Sequence, residues 1–111
     1  MITEMLIAAL IMVESHGNDF AVGDKEQAIG CLQIHKCVID DVNRIYGSAY
    51  QWPESAYSRE MAKEICRMYL KHYAPKHATN EQLARIWNGG PRGHEKQSTL
   101  KYWDKIKKEL K

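Results

Sequence analysis

The chain reads as a mainly α protein, a compact bundle of about five helices with little or no β-sheet. Three observations carry that reading. Apolar residues recur at three- and four-residue spacing in successive segments. Capping and breaking residues separate those segments: Thr3, Gly17, Gly47, Ser58, Pro75, Thr79 and Gly89-Gly90-Pro91. No linker in the 111 residues is long enough to divide a single domain spanning 1–111.

The first helix is expected from an N-cap at Thr3 to about Ser15, with Gly17 behind it as a stop. Residues 16–27 are polar and glycine-containing and read as a loop, with room for a short strand around Phe20-Ala21-Val22. A second helical region is expected over 28–46, with Ile34, Val38, Ile39, Val42, Ile45 and Tyr46 on one face. After a connector at 47–57, Ser58 caps a third helix. Its buried face is expected to be Met61, Ala62, Ile65, Cys66, Tyr69 and Tyr73, and Pro75 ends it near Ala74. Thr79-Asn80-Glu81-Gln82 has the form of a capping box that opens a short helix carrying Leu83, Ile86 and Trp87. The last helix runs from about Ser98 to Leu110, burying Thr99, Tyr102, Trp103, Ile106 and Leu110 beneath a lysine-rich outer side.

Charged residues make up 27% and apolar ones 44%, which is the composition of a soluble globular chain. A net charge of +2 is too small to argue for nucleic acid, and no helix-turn-helix pattern accompanies the lysines. Cys31, Cys37 and Cys66 are odd in number and lack CxxC spacing; three buried thiols are expected, with one bridge plus a spare thiol as the other arrangement. The five histidines form no metal-binding pattern, so a structural metal is not expected. The opening apolar run carries Glu4, lacks a basic leader and is too short to span a bilayer. It therefore reads as a core helix, not as a secretion signal or a membrane insertion.

Glu14 is the most informative residue. Ile2, Leu6, Leu10 and Glu14 are spaced four apart, so the acid continues a buried stripe at a helix end. Desolvation and the negative end of the helix would both keep its proton on, as general-acid chemistry requires. The competing reading is an isolated Glu rotated into solvent, and Glu14 alone does not separate the two. Polar residues collect at three helix-to-loop junctions: Glu14-Ser15-His16, Gly23-Asp24 with Gly30-Cys31-Leu32-Gln33-Ile34, and Trp87-Asn88-Gly89-Gly90. An acid, a second carboxylate and amides suit a cleft that holds a sugar polymer, where inversion needs carboxylates about 6.5–9.5 Å apart.

The order and spacing of these motifs resemble the soluble lytic transglycosylase and goose-type lysozyme group, from about Leu6 to Trp103. That resemblance implies a lysozyme-like fold and a muramidase acting on peptidoglycan glycan strands. It implies Glu14 as catalytic acid and Asp24, in the Gly-Asp pair, as the residue that helps hold the hydrolytic water. It also implies a substrate-binding set of Ser15, His16, Gln33, Ile34, His35, Trp87, Asn88 and Gly89, with Tyr102 reaching toward the acid. Two departures stand out: His35 occupies the place of a second loop aspartate, and Trp87 replaces a tyrosine before the asparagine.

From this follow hydrolysis with Asp24 positioning water and, as the alternative, a transglycosylase route to 1,6-anhydromuramic ends. Neither route implies a cofactor. A glycan-binding homologue without activity and a basic nucleic-acid binder are the rivals from other classes. A monomer is expected, made in the cytoplasm and acting on the cell wall in the manner of a phage endolysin.

Overall fold

A computed structural model describes residues 2–111. Six α-helices lie among them: α1 (Glu4–Ser15), α2 (Lys36–Tyr46), α3 (Glu54–Tyr57), α4 (Arg59–Tyr73), α5 (Asn80–Gly89) and α6 (Leu100–Glu109). Two 3-10 turns, Gly93–Glu95 and Gln97–Thr99, lead into α6. A two-stranded antiparallel hairpin, β1 (Val22–Gly23) and β2 (Ala28–Ile29), is the sheet, with Val22 paired to Ile29 and Gly23 to Ala28. Among the described residues, no helix is long and apolar enough to cross a membrane.

The chain divides into two units. One comprises the residues up to Val13 with Leu70–Lys111, the other Glu14–Tyr69. In the first, Leu6, Ile7, Ala9, Leu10 and Ile11 of α1 are buried, as are Leu83, Ala84 and Ile86 of α5 and Ile106 of α6. Full burial of each large aliphatic side chain contributes about 1.5–3 kcal/mol. Thr3 caps α1 by accepting the Leu6 amide at 3.1 Å. The capping box of α5 is complete: Thr79 Oγ1 accepts Gln82 N at 3.1 Å, and Gln82 Oε1 accepts Thr79 N at 2.9 Å. The apolar run of α1 is wider than one buried face, so Met5 (68% exposed) and Met12 (41%) remain in solvent.

In the Glu14–Tyr69 unit the buried set is Ala28, Ile29, Cys31, Leu32, Ile34, Ile39, Val42, Ala56, Ala62, Ile65, Cys66 and Tyr69. Helix α2 begins at Lys36, not at 28. Residues 28–34 instead form β2 and a tight turn, because Gly30 (φ +82°) and Gln33 (φ +52°) take left-handed backbone that ends any helix. Gly47 (φ +67°) closes α2 by donating its amide to the Asn43 carbonyl. Ser58 accepts the Met61 amide at the start of α4. Met61 itself is 43% exposed, since it lies one position off the Ala62, Ile65 and Tyr69 stripe. The last helix starts at Leu100, the preceding residues being wound as 3-10 turns.

The residue most tightly specified in this unit is Gly30. A Cβ there would lie 1.9 Å from the Ala56 carbonyl oxygen, on backbone of φ +82°. Gly30→Ala is expected to destabilise the chain by about 3 kcal/mol or more, measured as a lowered midpoint in urea unfolding.

Candidate active site

The end of α1 is fixed by one hydroxyl. Ser15 Oγ donates to the Cys31 carbonyl at 2.8 Å and accepts the Gly17 and Asn18 amides at 3.2 and 3.1 Å. A hydroxyl offers one donor and two acceptor sites, so a single side chain ties the helix end, its following turn and the 30–33 turn together. His16 (φ +54°) and Gly17 (φ +86°) then reverse the chain. Glu14, half-buried, is thereby held one residue from a fixed point. The thiol of the fully buried Cys66 is pushed up by burial, with the Arg67 charge opposing and the Glu14 charge adding to the rise.

The loop after α1 is clamped from α4. Arg59 Nε donates to Asp19 Oδ1 at 2.8 Å, and a second guanidinium nitrogen of Arg59 donates to the Gly17 carbonyl. Asp19 is therefore fixed to α4 by an ion pair. Asn18 Oδ1 accepts the Phe20 amide at 2.9 Å. The nearby Cys31 thiol is pushed up to about 11, chiefly by burial, with Arg59 opposing and Asp19 adding to the rise.

The Gly-Asp and Gln motifs meet at the hairpin. Asp24, Lys25 and Glu26 all take positive φ, at +50°, +55° and +69°. Non-glycine residues in this region cost about 1–2 kcal/mol each, so the hairpin tip is strained at the position of the second carboxylate. Asp24 is exposed, and its Oδ2 lies 3.3 Å from His35 Nε2, the residue that stands in for an aspartate. The Gln33 side-chain amide donates to the Ala21 and Gly30 carbonyls at 3.3 and 3.1 Å. Its Oε1 crosses so close to Gly23 that a Cβ there would lie 2.5 Å away. Glycine at 23 is thus what lets Gln33 lie across the strand, which links the two motifs physically. Ile34 is 0% exposed and contributes through its backbone, bonded reciprocally to Ile29 at 2.8 and 3.1 Å.

Glu14, Ser15, His16, Asp24, Gln33, Ile34 and His35 all belong to the Glu14–Tyr69 unit. Trp87, Asn88, Gly89 and Tyr102 belong to the other. There Asn88 is exposed in the last turn of α5, which runs through Gly89 and is closed by Gly90, whose amide donates to the Ile86 carbonyl. Gly89 packs on Thr99, and its carbonyl accepts Lys96 Nζ at 2.7 Å. Trp87 and Tyr102 are half-buried. Among the described residues, no group of three or more His, Cys, Asp or Glu side chains is arranged to hold a metal ion. The clamp of Arg59 on Asp19 links residues 40 positions apart and has no signature in the sequence.

With this geometry, comparison with known proteins gives a consistent result. The model of the transglycosylase SLT domain matches residues 1–110, and the chain belongs to that family. It is 37% identical over 81 residues to a lysozyme of Ostrea edulis, covering 70% of this chain and 57% of that protein. It is 46% identical over 48 residues to a lysozyme of Magallana gigas (40% of this chain, 35% of that one). A lysozyme of Meretrix lusoria is 38% identical over 82 residues, 71% of this chain and 65% of that one. The match thus spans less than two thirds of each relative's length. Among solved structures, Meretrix lusoria lysozyme in complex with Aeromonas hydrophila PliI superposes with a TM-score of 0.84 at 27% identity, over 96% of this chain and 89% of that one. Tapes japonica lysozyme, at 24% identity and a TM-score of 0.80 over 96% of this chain and 89% of that one, shares the fold.

All three thiols are free, as expected, but only Cys31 and Cys66 are buried, whereas Cys37 is exposed. At pH 8, a thiol with a pKa of about 11 is ionised to roughly one part in a thousand, so native chain is expected to react at Cys37 alone. Thiol counting with a chromogenic disulfide should give one group natively and three after denaturation. Burial raises both inner thiols above the ordinary value of 9.0 in the folded chain only. Their contribution to stability is therefore complete below about pH 9 and is lost as pH rises through the folded-state values. The thermal midpoint should fall between pH 8.5 and 10.5, with a shallower slope in Cys66→Ala.

Proposed function

We propose that the chain cleaves the β-1,4 bond between N-acetylmuramic acid and N-acetylglucosamine in peptidoglycan, with Glu14 as general acid. The observation that carries this is the place of Glu14. It is a half-buried carboxyl at the end of an apolar helix, and the next residue is anchored to the turn that bears Gln33. The family membership and the relatives named lysozyme support the same substrate class.

In this reading Glu14 gives its proton to the glycosidic oxygen as that bond breaks and oxocarbenium character develops at the anomeric carbon. Asp24 positions a water on the opposite face and accepts its proton, leaving a reducing end of inverted configuration. Gln33, whose side-chain N–H groups are given to the Ala21 and Gly30 carbonyls, offers its Oε1 as acceptor to a sugar hydroxyl.

The second reading is transglycosylation, favoured by the engagement of Asp24 with His35 and by the name of the family. Here the muramic 6-hydroxyl attacks the anomeric carbon and gives its proton to the Glu14 carboxylate, which closes a 1,6-anhydro ring.

Mass spectrometry of muropeptides released in 18O-water separates the two routes. Hydrolysis predicts reducing ends carrying one 18O atom, and transglycosylation predicts unlabelled anhydro ends. Glu14→Gln is expected to lower the rate of release by about 10²–10⁴-fold. Asp24→Asn should reduce labelled reducing ends while sparing anhydro ends. Wild-type rates in Glu14→Gln would contradict the role of the acid. Retention on peptidoglycan without any release by the wild type would favour a glycan-binding protein.

A further inference from the structure

Phe20, the chain's one phenylalanine, is 76% exposed, more than any other large apolar side chain among the described residues. Its setting is held in place. The residue before it is ion-paired to Arg59, its own amide is bonded to Asn18, and Ala21 N donates to the Asn18 carbonyl at 3.3 Å. The Ala21 carbonyl in turn receives Gly30 N at 2.7 Å and the Gln33 side-chain amide at 3.3 Å. The ring therefore stands one residue from the carbonyl that positions Gln33. The Tyr57 ring lies beside it, with centroids 6.3 Å apart and planes tilted by 34°.

Exposure alternates along this run: Phe20, Val22 and Asp24 are exposed, whereas Ala21 and Gly23 are half-buried. Val22 lies in β1, with Phe20 in the turn before it and Asp24 in the turn after it. A protein partner would need a wider apolar area, and here the flanking side chains are Asn18, Asp19, Lys25, Glu26 and Arg59. A flat ring in a polar rim fits a pyranose, which offers a face of C–H groups and an edge of hydroxyls.

We infer that Phe20 and Tyr57 form a sugar-stacking subsite for the glycan strand, on the loop that leads into the hairpin bearing Asp24. The inference rests on the proposed glycan-cleaving reading and adds a binding element that neither the motifs nor the acid chemistry requires. Phe20 takes no part in proton transfer, so its loss acts on binding of the strand.

The test compares wild type, Phe20→Ala and Phe20→Trp in two measurements. One is co-sedimentation with purified insoluble peptidoglycan, and the other is the KM and kcat of muropeptide release. Phe20→Ala is expected to weaken retention and raise KM by about ten-fold, equivalent to about 1.4 kcal/mol, with kcat within two-fold and the thermal midpoint unchanged. Phe20→Trp should restore both. Unchanged retention and KM in Phe20→Ala would overturn the subsite and leave the cleavage reading standing. If the wild type releases no muropeptides, the cleavage reading fails, and the co-sedimentation arm still decides the subsite. Concentration-dependent self-association that Phe20→Ala abolishes, with retention unaltered, would assign the ring to a contact between copies and also overturn it.

Discussion

The turn from Ile29 to Ile34 is where the candidate site is held. Two reciprocal backbone bonds between Ile29 and Ile34 close it, and Gly30 lies against the Ala56 carbonyl at a distance no side chain permits. The Gly30 amide reaches back to Ala21, and the Cys31 carbonyl takes the Ser15 hydroxyl. Three segments, at Ser15, Ala21 and Ala56, thus meet on these six residues. The helix end with Glu14, the clamped loop, the hairpin with Asp24 and the start of α2 all take their positions from these bonds. The apolar side chains of Ile29, Leu32 and Ile34 anchor the turn from below, each 4% exposed or less.

This arrangement reconciles rigidity with openness. A carboxyl on a bare loop would wander, and one in a core could not meet a polymer. Glu14 has a buried helix behind it and a serine-bonded turn ahead, and it stays half-buried. In the turns that follow it, Arg59 is held by Asp19 and Gly17, and the Gln33 amide by two carbonyls. The left-handed residues His16, Asp24, Lys25, Glu26 and Gln33 all fall in these turns. Strain concentrated at such positions is expected where a backbone must present side chains in a set direction.

Much of this was legible in the chain. Thr3, the Thr79–Gln82 box and Ser58 marked helix starts through side-chain chemistry that acts within four residues, and the structure uses all three. Gly47 marked a helix end in the same way. The region 28–35 misled because Ala28, Ile29, Leu32 and Ile34 have helical spacing, while the decisive fact is a carbonyl of Ala56 pressed against Gly30. That contact joins residues 26 positions apart, and no local pattern reports it. Met5, Met12 and Met61 were legible as apolar and not as exposed, since periodicity gives a face and not its width. Within the site, Glu14, Asp24 and Gln33 stood out through motif order. The pairing of His35 with Asp24 and of Arg59 with Asp19 came only from tertiary geometry.

The candidate site therefore depends on the rigidity of the 29–34 turn, which native-state hydrogen exchange measures most directly. The amides of Ile29, Gly30 and Ile34 are predicted to exchange only through global unfolding, with protection equal to that of the core of α4. Exchange of these amides through local opening, at free energies well below the unfolding value and independent of added denaturant, would contradict it.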